Sequence, residues 1–213
     1  MSEQDALELV CSVGVVPVIV AEDAEAVRGL AAALKRGRLP VAEVTLRTPA
    51  SLAALRLLAA DGELVVGAGT VTRPEQVDLA RDAGARFVVL PGFSARVVNR
   101  CRELGMPVVP GISTATDVIS ALDHDCELLK FFPAEASGGV EMIRALQAPF
   151  PHVRFIPTGG VNAANAGAYL RLPSVVAVGG SWMVAPALLR DQDFASVSRL
   201  AEDAVLIAED ARP

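Results

Sequence analysis

Short runs rich in valine and leucine recur roughly every 20 to 26 residues, each followed by a longer Ala/Leu/charged stretch with helical spacing. Eight such runs occupy residues 15–20, 41–46, 64–68, 87–90, 107–110, 128–131, 154–157 and 175–178. Because they are continuously apolar, both faces of each strand must be covered, which is the condition of a parallel sheet packed under helices. Eight strand–helix units in 213 residues predict an α/β chain closed into a (β/α)8 TIM barrel, one domain spanning residues 1–213. An open doubly wound sheet is the alternative.

The segments between the runs fit that scheme. Residues 24–35 and 51–60 carry leucine or valine stripes opposite Arg, Lys and Glu, as helices on an outer ring should. Gly37, Gly84 and Gly105 stand where helices should end, and Pro49 and Pro74 where proline suits a first helical turn. A short helix within 3–11 precedes the first strand, and 194–211 reads as a final amphipathic helix.

Composition excludes several functions. With 52% hydrophobic and 21% charged residues the chain can bury a substantial core. A net charge of −6 argues against a nucleic-acid or acidic-membrane partner. Cys11, Cys101 and Cys126 are odd in number and widely spaced, which suggests neither a disulfide framework nor a zinc site and fits a reducing cytoplasm. The chain opens on Glu3 and Asp5 instead of a basic segment, and its longest apolar stretch, 13–21, is too short to span a bilayer, so a cytoplasmic protein without export signal is expected.

Position along each unit converts into location, because barrel active sites lie at the C-terminal ends of the strands. On the second strand the period of two places Glu43, Thr45 and Arg47 on one face, which a barrel turns inward. On the sixth it aligns Leu128, Lys130 and Phe132 and aims the lysine beside that carboxylate. Desolvation disfavours an ammonium, so a lysine among apolar groups is a candidate nucleophile toward a carbonyl, and the neighbouring acid a candidate proton carrier. A strand-end lysine reaching for water, or an internal salt bridge serving only stability, are the bland alternatives.

Three turns complete the constellation. Gly67-Ala68-Gly69-Thr70 permits close backbone approach and adds a hydroxyl. Pro157-Thr158-Gly159-Gly160-Val161-Asn162 follows the seventh strand and Val178-Gly179-Gly180-Ser181 the eighth, where barrels frequently hold phosphate on exposed amides, a serine hydroxyl and the N-terminus of a following helix. Ordinary tight turns are the alternative. His124 and His152 precede strands, at the opposite end, and are expected on the surface; the Asp123, Asp125 and Glu127 group around His124 is expected to be solvated, not a metal site.

At these residues the chain resembles the class I 2-keto-3-deoxy-6-phosphogluconate (KDPG) aldolases, which often also act on 4-hydroxy-2-oxoglutarate. The resemblance runs from about residue 15 to 204 and is carried by Glu43-Val44-Thr45-Leu46-Arg47-Thr48, Gly67-Ala68-Gly69-Thr70, Lys130-Phe131-Phe132-Pro133-Ala134-Glu135, Pro157-Thr158-Gly159-Gly160 and Gly179-Gly180-Ser181-Trp182. It implies a trimeric (β/α)8 barrel without metal or organic cofactor, acting on a small 2-keto acid phosphate. It further implies Lys130 as the Schiff-base lysine and Glu43 as general acid/base. Arg47 and Thr70 would hold the substrate carboxylate, Pro91 and Phe132 would line the pocket, and Thr158, Gly159, Gly160, Gly180 and Ser181 would form the distal-hydroxyl and phosphate end. A metal-dependent aldolase and a non-catalytic sugar-phosphate sensor remain the competing readings.

Overall fold

The computed structural model describes residues 3–212, with side chains from residue 5 onward. Nine parallel strands follow in chain order: β1 (Val15–Ile19), β2 (Val41–Thr45), β3 (Val65–Gly69), β4 (Phe87–Val89), β5 (Val108–Val109), β6 (Gly111–Ile112), β7 (Leu128–Phe131), β8 (Arg154–Pro157) and β9 (Val178–Gly180). Six form one sheet in the order β5-β4-β3-β2-β1-β9, and three form a second in the order β6-β7-β8. The chain at Pro110 joins the two sheets on one side. On the other, parallel bridges pair Phe155 with Val175 and Thr158 with Gly179.

All eight apolar runs hold strand residues, with two differences. The fifth, expected to end at Pro110, holds β5, and beyond that proline, whose missing N–H interrupts the ladder, a further short strand follows: Val88 and Val89 of β4 pair with Val108 and Val109, while Gly111 and Ile112 pair with Lys130 and Phe131 of β7. The eighth is displaced toward the glycines, so that Gly179 and Gly180 are paired strand residues against Val16 and Pro17, not loop.

Helices cover the strands as the apolar stripes require. Ser51–Ala59 buries Ser51, Ala54, Leu55 and Leu58, the spacing of a single helical face. Phe194–Ala211 buries Val197, Ala201, Ala204, Val205, Ala208 and Ala211, and is capped by Asp193 accepting from the Ser196 amide at 3.1 Å. The stretch expected as one helix from 24 to 35 is instead a 3-10 turn, Glu25–Val27, followed by Leu30–Arg36. Gly29 interrupts it with φ +96°, a conformation open to glycine and closed to a helix interior. Pro74 opens Pro74–Asp82 as expected, but Pro49 lies in the turn before Ser51–Ala59.

Candidate active site

The C-terminal ends of β2, β3, β7, β8 and β9 converge on one cavity of about 300 Å³. Its walls include Arg47, Thr70, Pro91, Lys130, Phe132, Thr158, Gly159, Gly160, Gly180 and Ser181, ten of the eleven residues singled out in the sequence. The eleventh, Glu43, sits on the floor against Lys130. Lys130 Nζ donates to Glu43 Oε1 at 3.2 Å. Lys130 is 5% and Glu43 3% exposed.

Register explains the meeting of residues 87 positions apart. Glu43 pairs with Val18 of β1 and Gly67 of β3, and Lys130 with Gly111 of β6 and Ile156 of β8. Glycine is demanded next to the carboxylate: a Cβ at Gly69 would lie 1.9 Å from Glu43 Oε1. The amine also lies 5.3 Å from the centroid of the Phe132 ring, within range of a cation–π contact. Below the pair a void of only about 10 Å³ is lined by Leu7, Val10, Val16, Phe87 and neighbours, so the first helix and the strand side chains give the pair an apolar underside. A buried lysine–carboxylate pair is a poor stabiliser, since apolar replacements of equal volume often do as well or better.

The pocket rim is set by hydrogen bonds. Arg47 lies beyond the end of β2, exposed in a turn, so it does not extend the strand's alternation as expected. It is returned to the cavity by its Nε, which donates to Thr45 Oγ1 at 3.2 Å, while Thr45 Oγ1 donates to the Ile19 carbonyl at 2.8 Å. Ser51 Oγ clamps the same turn by donating to the Thr45 carbonyl at 2.7 Å. Thr70 holds φ +59°, an uncommon conformation for a β-branched residue and one that clusters at functional sites.

Gly159 and Gly160 have φ +98° and +82°, backbone that only glycine adopts freely. The Gly159 carbonyl accepts from the Glu135 amide at 3.0 Å, and the Gly160 carbonyl from Asn162 Nδ2 and Asn165 Nδ2 at 3.1 Å each. None of those donors lines the cavity. The expected helix dipole is not supplied: the next helix after this loop is the short Ala166–Leu170, and Ser181 is followed by a 3-10 turn, Trp182–Val184. Backbone amides and the Ser181 hydroxyl are the polar groups left at this end of the cavity.

Val18, Val20, Thr45, Val161, Gly179, Val184 and Pro186 also line the pocket. Of these, Thr45 stood out on the polar face of its strand and Val161 and Gly179 within the glycine turns; Val18 and Val20 read as part of an apolar strand run, and nothing in the sequence marked Val184 or Pro186. His152 is exposed, while His124 is half-buried, edge-on to Phe93 at 5.2 Å between ring centroids, contrary to the surface position expected. Neither lines the pocket, and among the described residues no three His, Cys, Asp or Glu side chains are grouped to share a metal ion. Cys101 is buried, and that burial, with Cys126 adding to it, pushes its thiol up to about 12.

Parallel α/β architecture and a lysine–carboxylate centre at the strand ends define the class as an α/β protein with a buried amine at its site. The sequence profile of the KDPG and KHG aldolases matches residues 8–200, and the chain belongs to that family. It is 39% identical to the 2-dehydro-3-deoxy-phosphogluconate aldolase of Haemophilus influenzae, covering 95% of this chain and 96% of that one. It is 43% identical to the KHG/KDPG aldolase of Escherichia coli, over 90% of each. The crystal structure of the Zymomonas mobilis KDPG aldolase with 3-phosphoglycerate superposes with a TM-score of 0.92 at 37% identity, covering 100% of both chains. The KDPG aldolase of Legionella pneumophila, with pyruvate captured at low pH as a covalent carbinolamine, has a TM-score of 0.88 at 38% identity, covering 92% of this chain and 96% of that one.

Proposed function

We propose that this chain is a class I aldolase that cleaves KDPG to pyruvate and glyceraldehyde 3-phosphate, with 4-hydroxy-2-oxoglutarate, giving pyruvate and glyoxylate, as a second substrate. The observation that carries the reading is the 3.2 Å contact between two nearly inaccessible groups, Lys130 and Glu43, on the floor of a cavity that opens at the strand ends. Membership of the family and the carbinolamine of the Legionella relative support it.

In this mechanism the neutral Lys130 amine attacks the C2 carbonyl. Glu43 relays protons as the carbinolamine loses water, and the iminium that results draws electrons from the C3–C4 bond. Glu43 then removes the C4 hydroxyl proton as that bond breaks and the aldehyde leaves. Protonation of the enamine and hydrolysis release pyruvate and restore the amine. Arg47 and Thr70 hold the carboxylate of the keto acid, and Pro91 and Phe132 confine its carbon chain. Thr158 meets the distal hydroxyls, and Gly159, Gly160, Gly180 and Ser181 hold the phosphate.

The scheme requires neither metal nor organic cofactor. We read the two parallel sheets as arcs of one closed (β/α)8 barrel, a single domain. No helix among the described residues is long and apolar enough to cross a membrane. The working form is taken to be a cytoplasmic homotrimer, which sedimentation tests.

A lactate-dehydrogenase-coupled assay with KDPG tests the function. Pyruvate release that survives EDTA is expected. Loss of activity on chelation would point to a metal-dependent aldolase, and failure to release pyruvate would favour a sugar-phosphate sensor.

A further inference from the structure

A carboxylate stands beside the loop that the proposed function gives to phosphate. Glu135 follows β7 in the turn Glu135–Ser137, and its amide donates to the Gly159 carbonyl at 3.0 Å, as the Ala134 amide does to the Thr158 carbonyl at 2.8 Å. Its side-chain stem lies directly on Gly160: a Cβ built there would come within 2.5 Å of Glu135 Cγ and 2.7 Å of its Cβ. An anion one side chain away from two glycines in left-handed conformation is a competitor for any amide cradle those glycines form.

The structure restrains that competitor. Glu135 Oε1 accepts a hydrogen bond from the hydroxyl of Tyr169, which sits on Ala166–Leu170 and is 1% exposed. The hydroxyl and the carboxylate approach Gly139, whose Cβ would lie 3.3 Å from Tyr169 Oη and 3.5 Å from Glu135 Oε1. Burial, with the neighbouring carboxylate adding to it, pushes the Tyr169 phenol up, so it stays a donor. Neither Glu135 nor Tyr169 lines the pocket.

We propose that Tyr169 tethers Glu135, holding its carboxylate clear of the Gly159–Gly160 amides, and that this pair sets the preference for a phosphorylated substrate. Both are positioning residues. The idea rests on the reading that those glycines hold the substrate phosphate. It predicts that loosening the tether harms only the phosphorylated substrate, and that deleting the freed charge cures the harm.

The test compares KDPG with 2-keto-3-deoxygluconate, its uncharged-tail counterpart, in a pyruvate-coupled assay. Tyr169→Phe should raise KM for KDPG about tenfold, the scale of one lost charge-assisted contact. Its kcat, and both constants for the dephosphorylated substrate, should stay within about twofold by the same reasoning, since the reacting groups are untouched. Adding Glu135→Gln to Tyr169→Phe should return KM to the wild-type value. Glu135→Asp, exposed and too short to reach Tyr169, should reproduce the rise without touching the core. An equal loss on both substrates, or no recovery in the double variant, would reduce the pair to a structural contact and overturn the proposal. A wild-type protein that cleaves both substrates equally well would remove the phosphate site and the proposal together, and one that cleaves neither would instead defeat the aldolase reading.

Discussion

Gly69→Ala should disarm the site without replacing either of its reacting groups. The added methyl would stand 1.9 Å from Glu43 Oε1 and 2.6 Å from both Cδ and Cγ. Carbon contacts settle near 3.5 Å, so the outer half of the glutamate has to move by about 1.5 Å. It cannot sink, because the void beneath holds only about 10 Å³. A shift of that size takes Oε1 out of the position from which it accepts Lys130 Nζ at 3.2 Å in the native arrangement. Misplacement by about 1 Å can cost 10²-fold, and loss of a general acid/base typically 10² to 10⁴, so kcat should fall by a factor between about 10² and 10⁴. Overpacking should destabilise the fold by about 1–3 kcal/mol. Coupled pyruvate release reads the first effect and thermal unfolding the second, with Gly92→Ala, where a methyl meets nothing within 4 Å, as the control. A folded Gly69→Ala protein with turnover within about threefold of wild type would refute Glu43 as proton carrier, since a carboxylate displaced that far has lost its reach.

Further outcomes follow from the same geometry. Lys130→Met should abolish turnover and lower the melting temperature by stranding buried Glu43, whereas Lys130→Met with Glu43→Leu should melt no lower than wild type while staying inactive. Asp117 closes the capping box of Ala115–Leu122, whose N-cap is Thr114; burial, the largest influence, works upward on its carboxyl but is outweighed by the Ser113 and Thr114 amides and hydroxyls, leaving it below its ordinary 3.8. A depressed folded value means that its stabilisation is complete above about 3.8 and lost as pH falls through the folded value, so Asp117→Asn should flatten the acid limb of stability in denaturant unfolding below that pH. Trp182, the chain's single tryptophan, packs on Gly180, where a Cβ would strike its ring. Its emission should therefore shift saturably on titration with inorganic phosphate, and an unchanged spectrum would remove that end of the pocket as an anion site.

The strands and the central pair were legible because each depends on a local pattern. Continuous apolar runs mark doubly covered strands, and the period of two aims Glu43 and Lys130 to the same side. What escaped depends on contacts between distant residues. Gly111 and Ile112 lie beyond the run that ends at Pro110, yet form a strand by pairing with β7 where Val108 and Val109 pair with β4, which no local pattern announces. Gly29 looks like any helix residue until its φ of +96° is known. Gly179 and Gly180 read as turn residues, yet pairing with β1 holds them in a strand. Val18, Val20 and Val184 line the pocket with side chains indistinguishable in sequence from core. The contact between Glu135 and Tyr169 spans 34 positions and is visible only once the helix that carries the tyrosine is packed.

The central claim is that Lys130 forms a covalent imine with a 2-keto acid. Incubation with pyruvate and borohydride, followed by peptide mass spectrometry, measures it directly. A reduced pyruvate adduct confined to the peptide carrying Lys130, and absent from Lys130→Met, is the predicted result. An unmodified lysine in a preparation that is turning over substrate, or an adduct on another residue, would contradict it.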